Sequence, residues 1–315
     1  MKARLLPEPS PYLDIVANQF STVTAENEMK WALTEPVQGQ HTWAAADRLV
    51  DFAEQNHQVV RGHTLVWHNQ LPKWVTSQPW TPAELRAILK KHITDEVTHF
   101  RGRIWAWDVV NEAFNGDGTL RDTMWLRALG PDYIADAFRW AHQADPKAKL
   151  FYNDCNIEGI NAKSTAVLAL VTKLRAEGVP IHGVGLQTHL GTQYDFPHTM
   201  QDNLERFAAL DVDLAITEAD VRVPLPVDGD DEARQVDAYQ RALRACLAVS
   251  RCVSYTVWGV GDSYSWVPGT FPGQGWPLLY DDQLKPKAAY RAVQHDLSEA
   301  PNWAPHRSGR GAGRG

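Results

Sequence analysis

Two glutamates in this chain follow apolar, β-rich segments at the point where a strand would end. Glu112 closes the segment Ile104–Glu112, and Glu218 lies near the end of Leu214–Val221. Because carboxylates are rarely buried without partners, this placement indicates a reactive site rather than a packed core. Other polar and aromatic side chains take the same position in neighbouring segments: His63, Trp67, Asn111, Gln187, His189, Asp220 and Trp258.

Hydrolysis of a glycosidic bond requires a pair of carboxyl groups. One group protonates the leaving oxygen, and the other attacks the anomeric carbon or activates water. The retaining route needs the two groups roughly 5–5.5 Å apart, whereas the inverting route needs room for a water. We expect His189 and Asn111 to donate hydrogen bonds to Glu218 and keep it ionised, so Glu218 is the predicted nucleophile and Glu112 the predicted acid/base.

The alternation of side chains along a strand predicts which groups meet. Glu218 and Asp220 share one face of their strand, and His189 lies on the segment before it, so His189 is predicted to bridge the two carboxylates. Asp108 has the parity of the catalytic glutamate that follows it and is predicted to bond His63 inside the sheet.

The elements that carry these residues alternate between strands and helices. Helices are predicted between the strands; the clearest begins at Thr81-Pro82 with Glu84 three residues after the cap. Strands separated by helices run parallel, and eight such units predict a (β/α)8 TIM barrel, while six or seven would allow an open doubly wound sheet. The predicted strands are Ser21–Thr24, Val59–Trp67, Ile104–Glu112, Leu150–Asn156, Gly183–His189, Leu214–Val221 and Val253–Val260, with a further candidate at Ala3–Leu6.

Composition narrows the class of protein further. The net charge is −7, and the first 300 residues hold no basic patch, which argues against nucleic-acid binding. No apolar run is long enough to span a membrane. The 13 tryptophans are compatible with sugar stacking or with core packing. We expect one catalytic domain over 1–298 and a disordered Gly/Arg-rich tail over 299–315.

The cysteines and the amino end leave two questions open. Cys246 and Cys252 could form a disulfide or remain reduced, while Cys155 is expected in the core. The first residues lack the apolar region of a signal peptide. The protein is therefore either secreted, if a signal was removed, or cytoplasmic.

At its functional segments the chain resembles the family 10 glycoside hydrolases, the endo-β-1,4-xylanases. The matching segments occur in family order, and together they are far more specific than any one alone. They are Thr24–Trp31, Gly62–Gln70, Trp107–Ala113, Gly185–His189, Ile216–Asp220 and Trp258–Trp266.

The resemblance implies a retaining mechanism on a (β/α)8 barrel with no cofactor and no metal. It makes Glu112 the acid/base and Glu218 the nucleophile, with Asp220 in support, and it implies xylan or xylo-oligosaccharides as the partner of a monomer. Two departures are Ala219, where the family usually has Leu, and a short lead-in before the strand at Ser21–Thr24. Positions that match the family's sugar-binding residues are Glu26, Asn27, Lys30, His63, Trp67, Asn111, Gln187, His189, Trp258 and Trp266.

Two other functions compete with this expectation. A non-catalytic xylan-binding protein would need the aromatic residues but not both Glu112 and Glu218. The same chemistry on a β-1,4-glucan or an aryl cellobioside would need room for an extra CH2OH group near Trp266.

Overall fold

The computed structural model describes residues 1–6, 9–300 and 303. Within these residues the strands are β1 (Thr22–Thr24), β2 (Val59–Val66), β3 (Ala106–Asn111), β4 (Lys149–Asp154), β5 (Gly183–Leu186), β6 (His189–Gly191), β7 (Asp213–Pro224), β8 (Cys252–Val257) and β9 (Gln274–Gly275). The helices are α1 (Pro11–Gln19), α2 (Trp31–Thr34), α3 (Ala44–Gln55), α4 (Lys73–Thr76), α5 (Pro82–His99), α6 (Met124–Leu129), α7 (Tyr133–Ala144), α8 (Ala162–Ala176), α9 (Met200–Ala208), α10 (Gly229–Ala248), α11 (Val267–Thr270) and α12 (Ala288–Ser298).

Parallel strands form the wall of a barrel with helices between them. The hydrogen-bonded order is β1-β2-β3-β4-β5-β7, and β8 continues it by pairing with β7. The fold is the predicted (β/α)8 barrel, to which the described residues contribute seven parallel wall strands. Short strands extend β7 beyond the wall: β6 pairs with it in parallel at Asp220, and β9 pairs antiparallel near Pro224.

The predicted strand at Ala3–Leu6 is wrong, because these residues form a 3-10 turn over Ala3–Leu5. The backbone N–H groups of Leu5 and Leu6 donate to the carbonyls of Lys2 and Ala3, so local bonds occupy the groups that a ladder would use. The sequence places Pro next, which cannot donate to a neighbouring strand.

Capping residues start the helices where the sequence predicts them. The side chain of Thr81 accepts a hydrogen bond from the backbone of Glu84, whose carboxylate returns to Thr81, and α5 then buries a stripe of apolar residues against the barrel. Asn161 caps α8 in the same reciprocal way with Ser164. Helix α1 was not predicted, although Ser10 followed by Pro11 is a typical helix start.

Side chains pack tightly in the barrel interior around Phe151. Arg61 is fully buried over the ring of Phe151, with its guanidinium carbon 4.3 Å from the ring centre. A Cβ atom on Gly183 would lie only 2.2 Å from the same ring, so glycine is required there by close approach.

Cys246 and Cys252 form a disulfide in the structure. This is one of the two states that the sequence left open. The bond joins the end of α10 to the start of β8, with the Cα atoms 5.2 Å apart. Cys155 is half-buried and forms no disulfide.

The predicted tail at 299–315 lies outside the described residues except for Glu299, Ala300 and Trp303, and its disorder stays a prediction. Within the described part of the chain, no helix is both long and apolar enough to cross a bilayer.

Candidate active site

Glu112 lies immediately after β3, at the carboxyl end of the barrel wall. Its backbone adopts a left-handed conformation with φ of 58°, which turns the chain away from the strand. Three hydrogen bonds fix this turn. The Glu112 N–H donates to the carbonyl of Asn153 at 2.9 Å, its carbonyl accepts from Arg121 Nε at 3.0 Å, and the next N–H, of Ala113, donates to Tyr152 Oη at 3.0 Å. The half-buried side chain of Glu112 is thereby held over the barrel mouth.

A chain of amide side chains links Glu112 to Glu218. Gln187 Nε2 donates to Glu112 Oε1 at 3.1 Å and to Asn111 Oδ1 at 3.2 Å. Asn153 Nδ2 donates to the same Asn111 oxygen at 2.9 Å and to Glu218 Oε1 at 2.8 Å. Three amides, joined through Asn111 Oδ1, therefore connect two carboxyl groups that are 106 positions apart along the chain. Both glutamates lie at one rim, as predicted.

The donor to Glu218 is a correction to the sequence prediction. Asn111 was expected to donate to Glu218, but its side-chain oxygen accepts from its neighbours and its nitrogen lies 3.5 Å from Glu112 Oε1. Asn153, on β4, takes the predicted place. The sequence did offer a signal, because Asn153 lies near the carboxyl end of a predicted strand, where Asn111 also lies.

His189 bridges Glu218 and Asp220, as predicted. Its Nε2 lies 3.1 Å from Glu218 Oε2, and its Nδ1 lies 3.0 Å from Asp220 Oδ1. Burial alone would lower the pKa of His189, but the charges and hydrogen bonds of Asp220 and Glu218 outweigh burial and raise that pKa to about 10. A cationic imidazole therefore stands between two carboxylates at neutral pH. Trp266 Nε1 donates to the other oxygen of Asp220 at 2.7 Å.

A second histidine approaches Glu218 from inside the barrel. His63 Nδ1 lies 2.9 Å from Asp108 Oδ2, as predicted, and 3.9 Å from Glu218 Oε1. Arg61, which the sequence reading missed, donates to the other oxygen of Asp108 at 2.6 Å. Burial would raise the pKa of Glu218, but the neighbouring His63 and His189 outweigh burial and hold the pKa of that carboxyl below its ordinary value. Glu218 is thus ionised and ready to act as a nucleophile.

The remaining predicted sugar-binding residues form two walls beside the carboxyl pair. On one side the Lys30 ammonium lies 5.0 Å from the ring centre of Trp67 and donates to Asn27 Oδ1 at 3.3 Å. On the other side the rings of Trp258 and Trp266 lie 6.4 Å and 4.9 Å from that of His189.

Glu26 makes its described ion pairs with the first residues of the chain. Its carboxylate lies 3.5 Å from the amino group of Met1 and 3.5 Å from Lys2 Nζ. The structure therefore brings the predicted residues to one rim and engages Glu26 with the first residues of the chain.

Two hydrogen-bond-linked carboxyl groups, one of them kept ionised, lie between aromatic walls at the carboxyl rim of a (β/α)8 barrel. These features define the class of the protein as a glycoside hydrolase. The family model for glycosyl hydrolase family 10 matches residues 1–296, and the chain belongs to this family.

Relatives named as xylanases agree with this assignment over nearly the whole chain. The chain is 45% identical to an endo-1,4-beta-xylanase of Agaricus bisporus, over 92% of this chain and 87% of the relative. It is 43% identical to endo-1,4-beta-xylanase B of Thermotoga neapolitana, over 93% of this chain and 85% of the relative. Among solved structures, xylanase 10B from Thermotoga petrophila RKU-1 in complex with xylobiose superposes with a TM-score of 0.91 at 42% identity, covering 94% of this chain and 91% of the other.

Proposed function

We propose that this protein hydrolyses internal β-1,4-xylosidic linkages of xylan with retention of configuration, using Glu218 as nucleophile and Glu112 as acid/base. The observation that carries the proposal is the amide chain that joins the two carboxyl groups across the barrel mouth. Family membership and the xylanase relatives support xylan as the substrate. A non-catalytic binding protein would not need a buried carboxylate kept ionised by two histidines.

The reaction proceeds in two displacements. A carboxylate oxygen of Glu218 attacks the anomeric carbon while the carboxylic acid of Glu112 transfers its proton to the departing glycosidic oxygen. This step leaves a xylosyl ester on Glu218 and a carboxylate on Glu112. Glu112 then takes a proton from water, whose oxygen attacks the same carbon and releases Glu218. Two inversions give net retention.

The neighbours of Glu218 fix the orientation of its side chain and keep its carboxylate ionised. Asn153 bonds one carboxylate oxygen and His189 contacts the other, so the side chain has one orientation before substrate binds. Holding a nucleophile in its reactive geometry lowers the entropy cost of the attack. Asp220 acts through His189, because it contacts Nδ1 of that ring, and Trp266 acts through Asp220, to which its Nε1 donates.

The two walls suit a flat sugar chain with many hydroxyl groups. Trp266 is half-buried and offers its ring for stacking, whereas Trp258 is buried, and Lys30 with Asn27 offers polar contacts. Burial lowers the pKa of Lys30, although the nearby Glu218 and Glu26 offset part of that effect. We assign these residues to binding the sugar and not to proton transfer.

The decisive experiment is product analysis on linear xylo-oligosaccharides by proton NMR. The protein should release short xylo-oligomers whose first-formed anomer is β, and Glu218→Ala should abolish release. Asp213→Asn is the matched control, because Asp213 lies on the same strand at the opposite end of the barrel, paired with Lys149. Cleavage by Glu218→Ala at the unmodified rate would refute the nucleophile assignment.

Azide separates the two glutamate roles. With an activated aryl xylobioside, Glu218→Ala plus azide should give the α-glycosyl azide, since azide replaces the nucleophile in a single displacement. Glu112→Ala plus azide should give the β-glycosyl azide, since azide intercepts the ester on Glu218. Exchanged products would reverse the roles, and parallel assays on cello-oligosaccharides would expose a glucan preference.

A further inference from the structure

A buried ion pair lies close to Glu112, at the end of β4. Lys163, in the first turn of α8, places its ammonium 2.6 Å from Asp154 Oδ1, and both side chains are buried. The same ammonium donates to the carbonyl of Cys155 at 2.8 Å. The desolvation of two charges can cost more than their attraction returns, so burial of the pair is weak evidence that it stabilises the fold. The groups that the pair contacts indicate a different use.

Tyr152 joins this ion pair to the turn that carries Glu112. Its hydroxyl donates to Asp154 Oδ2 at 2.5 Å and accepts from the Ala113 N–H at 3.0 Å. Because the Ala113 N–H can only donate, the hydroxyl of the fully buried Tyr152 gives its own proton to Asp154. A continuous path of hydrogen bonds therefore runs from the residue after Glu112 through Tyr152 and Asp154 to Lys163.

The hydrogen bonds of this path fit a carboxylate at Asp154 and an ammonium at Lys163. Asp154 Oδ1 accepts from Lys163 and from the Cys155 N–H, while Oδ2 accepts from Tyr152. Burial would lower the pKa of Lys163, but the nearby Asp154 outweighs burial and raises that pKa. Burial raises the pKa of Asp154, and Lys163 and Tyr152 offset part of that rise. With three donors on its two oxygens, Asp154 holds the Tyr152 hydroxyl in one orientation.

Glu112 depends on its backbone for its position more than Glu218 does. Each oxygen of the Glu218 carboxylate has a bonding partner. The described side-chain bonds of Glu112 involve a single oxygen, Oε1, which accepts from Gln187 at 3.1 Å and lies 3.5 Å from Asn111 Nδ2. The Glu112 backbone is left-handed, and a non-glycine residue keeps that conformation only where its neighbours hold it. The place of this carboxyl group over the barrel mouth therefore depends on the turn.

We propose that Tyr152, Asp154 and Lys163 are positioning residues that hold the Glu112 turn in the geometry for proton transfer to the leaving oxygen. This role depends on the acid/base function proposed for Glu112. The three residues act through the Ala113 N–H and not by touching the sugar. A displacement of about 1 Å can cost roughly 10²-fold in rate, so loss of the Tyr152 hydroxyl should impair the steps that need Glu112 and spare those that do not.

The test is Tyr152→Phe, assayed by kcat/KM on two aryl xylobiosides that differ in their leaving group. A dinitrophenolate departs without a proton, whereas the departure of phenol needs the acid. Tyr152→Phe should lower kcat/KM about tenfold or more on the phenyl substrate and less than about twofold on the dinitrophenyl substrate. Because both substrates are assayed on one sample, the ratio of the two values does not depend on the folded fraction.

Tyr239→Phe is the matched control. It also removes a buried hydroxyl, which donates to the Pro277 carbonyl at 2.6 Å, and it should change both kcat/KM values by the same factor. Lys163→Met and Asp154→Asn should discriminate between the substrates in the same direction as Tyr152→Phe. Because the path is linear, Tyr152→Phe combined with Asp154→Asn should lose no more than about twofold beyond the larger single loss. Losses that multiply would overturn the linked path.

Equal losses of Tyr152→Phe on the two substrates, or no loss on either, would also overturn the proposal. Glu112→Ala in the same assay distinguishes this failure from failure of the proposed function. If Glu112→Ala discriminates between the leaving groups and Tyr152→Phe does not, only the positioning role is refuted. If neither variant discriminates, the acid/base assignment of Glu112 is refuted together with it.

Discussion

The closed half of the barrel, from β2 to β7, differs from the seam between β8 and β1. The closed half buries its charges in pairs, as with Arg61 and Asp108, and has no free volume around Phe151. The seam has half-buried strand residues around a cavity of about 780 Å³. A disulfide holds the start of β8.

The two regions also divide the work of the site. Glu112, Glu218 and the amides that join them lie on strands of the closed half or directly after them, whereas Lys30 follows β1 and Trp258 follows β8, at the seam. Proton transfer and nucleophilic attack require positions held within a fraction of an ångström, while sugar stacking tolerates more movement. The difference teaches that the reacting carboxyl groups lie on the closed half, whereas the sugar-binding set draws on both regions, since Trp67 follows β2.

The largest effect is expected from removing the buried ion pair of the closed half. Arg61→Met should lower the free energy of unfolding by about 3–5 kcal/mol, because it leaves Asp108 buried without its cation. The exposed Arg291, which lines the seam, provides the control, and Arg291→Met should stay within about 0.5 kcal/mol. Guanidinium chloride unfolding measures both, and equal losses would remove the contrast between the two regions.

The next effect tests the tight packing of the interior. Gly183→Ala should cost about 3 kcal/mol, at the upper end of overpacking, because the added methyl meets the Phe151 ring at 2.2 Å. Gly269→Ala is the matched substitution, since its methyl meets no atom within 4 Å. A neutral Gly183→Ala in thermal and denaturant unfolding would mean that the interior is looser than the structure indicates.

A smaller effect depends on pH. The pKa of His189 is raised from 6.5 to about 10, so its stabilising charge is fully present below pH 6.5 and is lost as pH rises through about 10. His189→Gln should therefore cost about 1.5–3 kcal/mol at pH 6, the size of hydrogen bonds to charged groups. The cost should shrink to near zero above pH 10. Unfolding curves from pH 6 to above pH 10 measure it, and a constant difference would contradict the charged state.

The smallest expected effect concerns the disulfide at the seam. Replacing Cys246 and Cys252 by Ser should lower the free energy of unfolding by about 2 kcal/mol, because the separation of 6 residues closes only a short loop. Activity should persist, since the bond lies at the far end of β8 from the site. Reductant should destabilise the unmodified protein and leave the double variant unchanged; three titratable thiols in the unmodified protein would exclude the bond.

The sequence by itself determined the wall strands and much of the site. Alternation along a strand is local, so it placed Glu218 and Asp220 on one face and predicted that His189 bridges them, which the structure confirms. Helix caps such as Thr81 are equally local. Tail disorder, a monomeric state and the compartment stay predictions.

Only the tertiary structure decided which strands close the wall and which amides meet across its mouth. Asn153 replaced Asn111 as the donor to Glu218, because that choice depends on the stagger of β3, β4 and β7 around the barrel. The predicted strand at Ala3–Leu6 failed because local turn bonds took its donors, while Met1, with no strand pattern of its own, pairs beside Ala25. Periodicity acts between near neighbours in the chain, whereas closure and register depend on contacts between residues tens of positions apart, such as Asn153 with Asn111 and with Glu218.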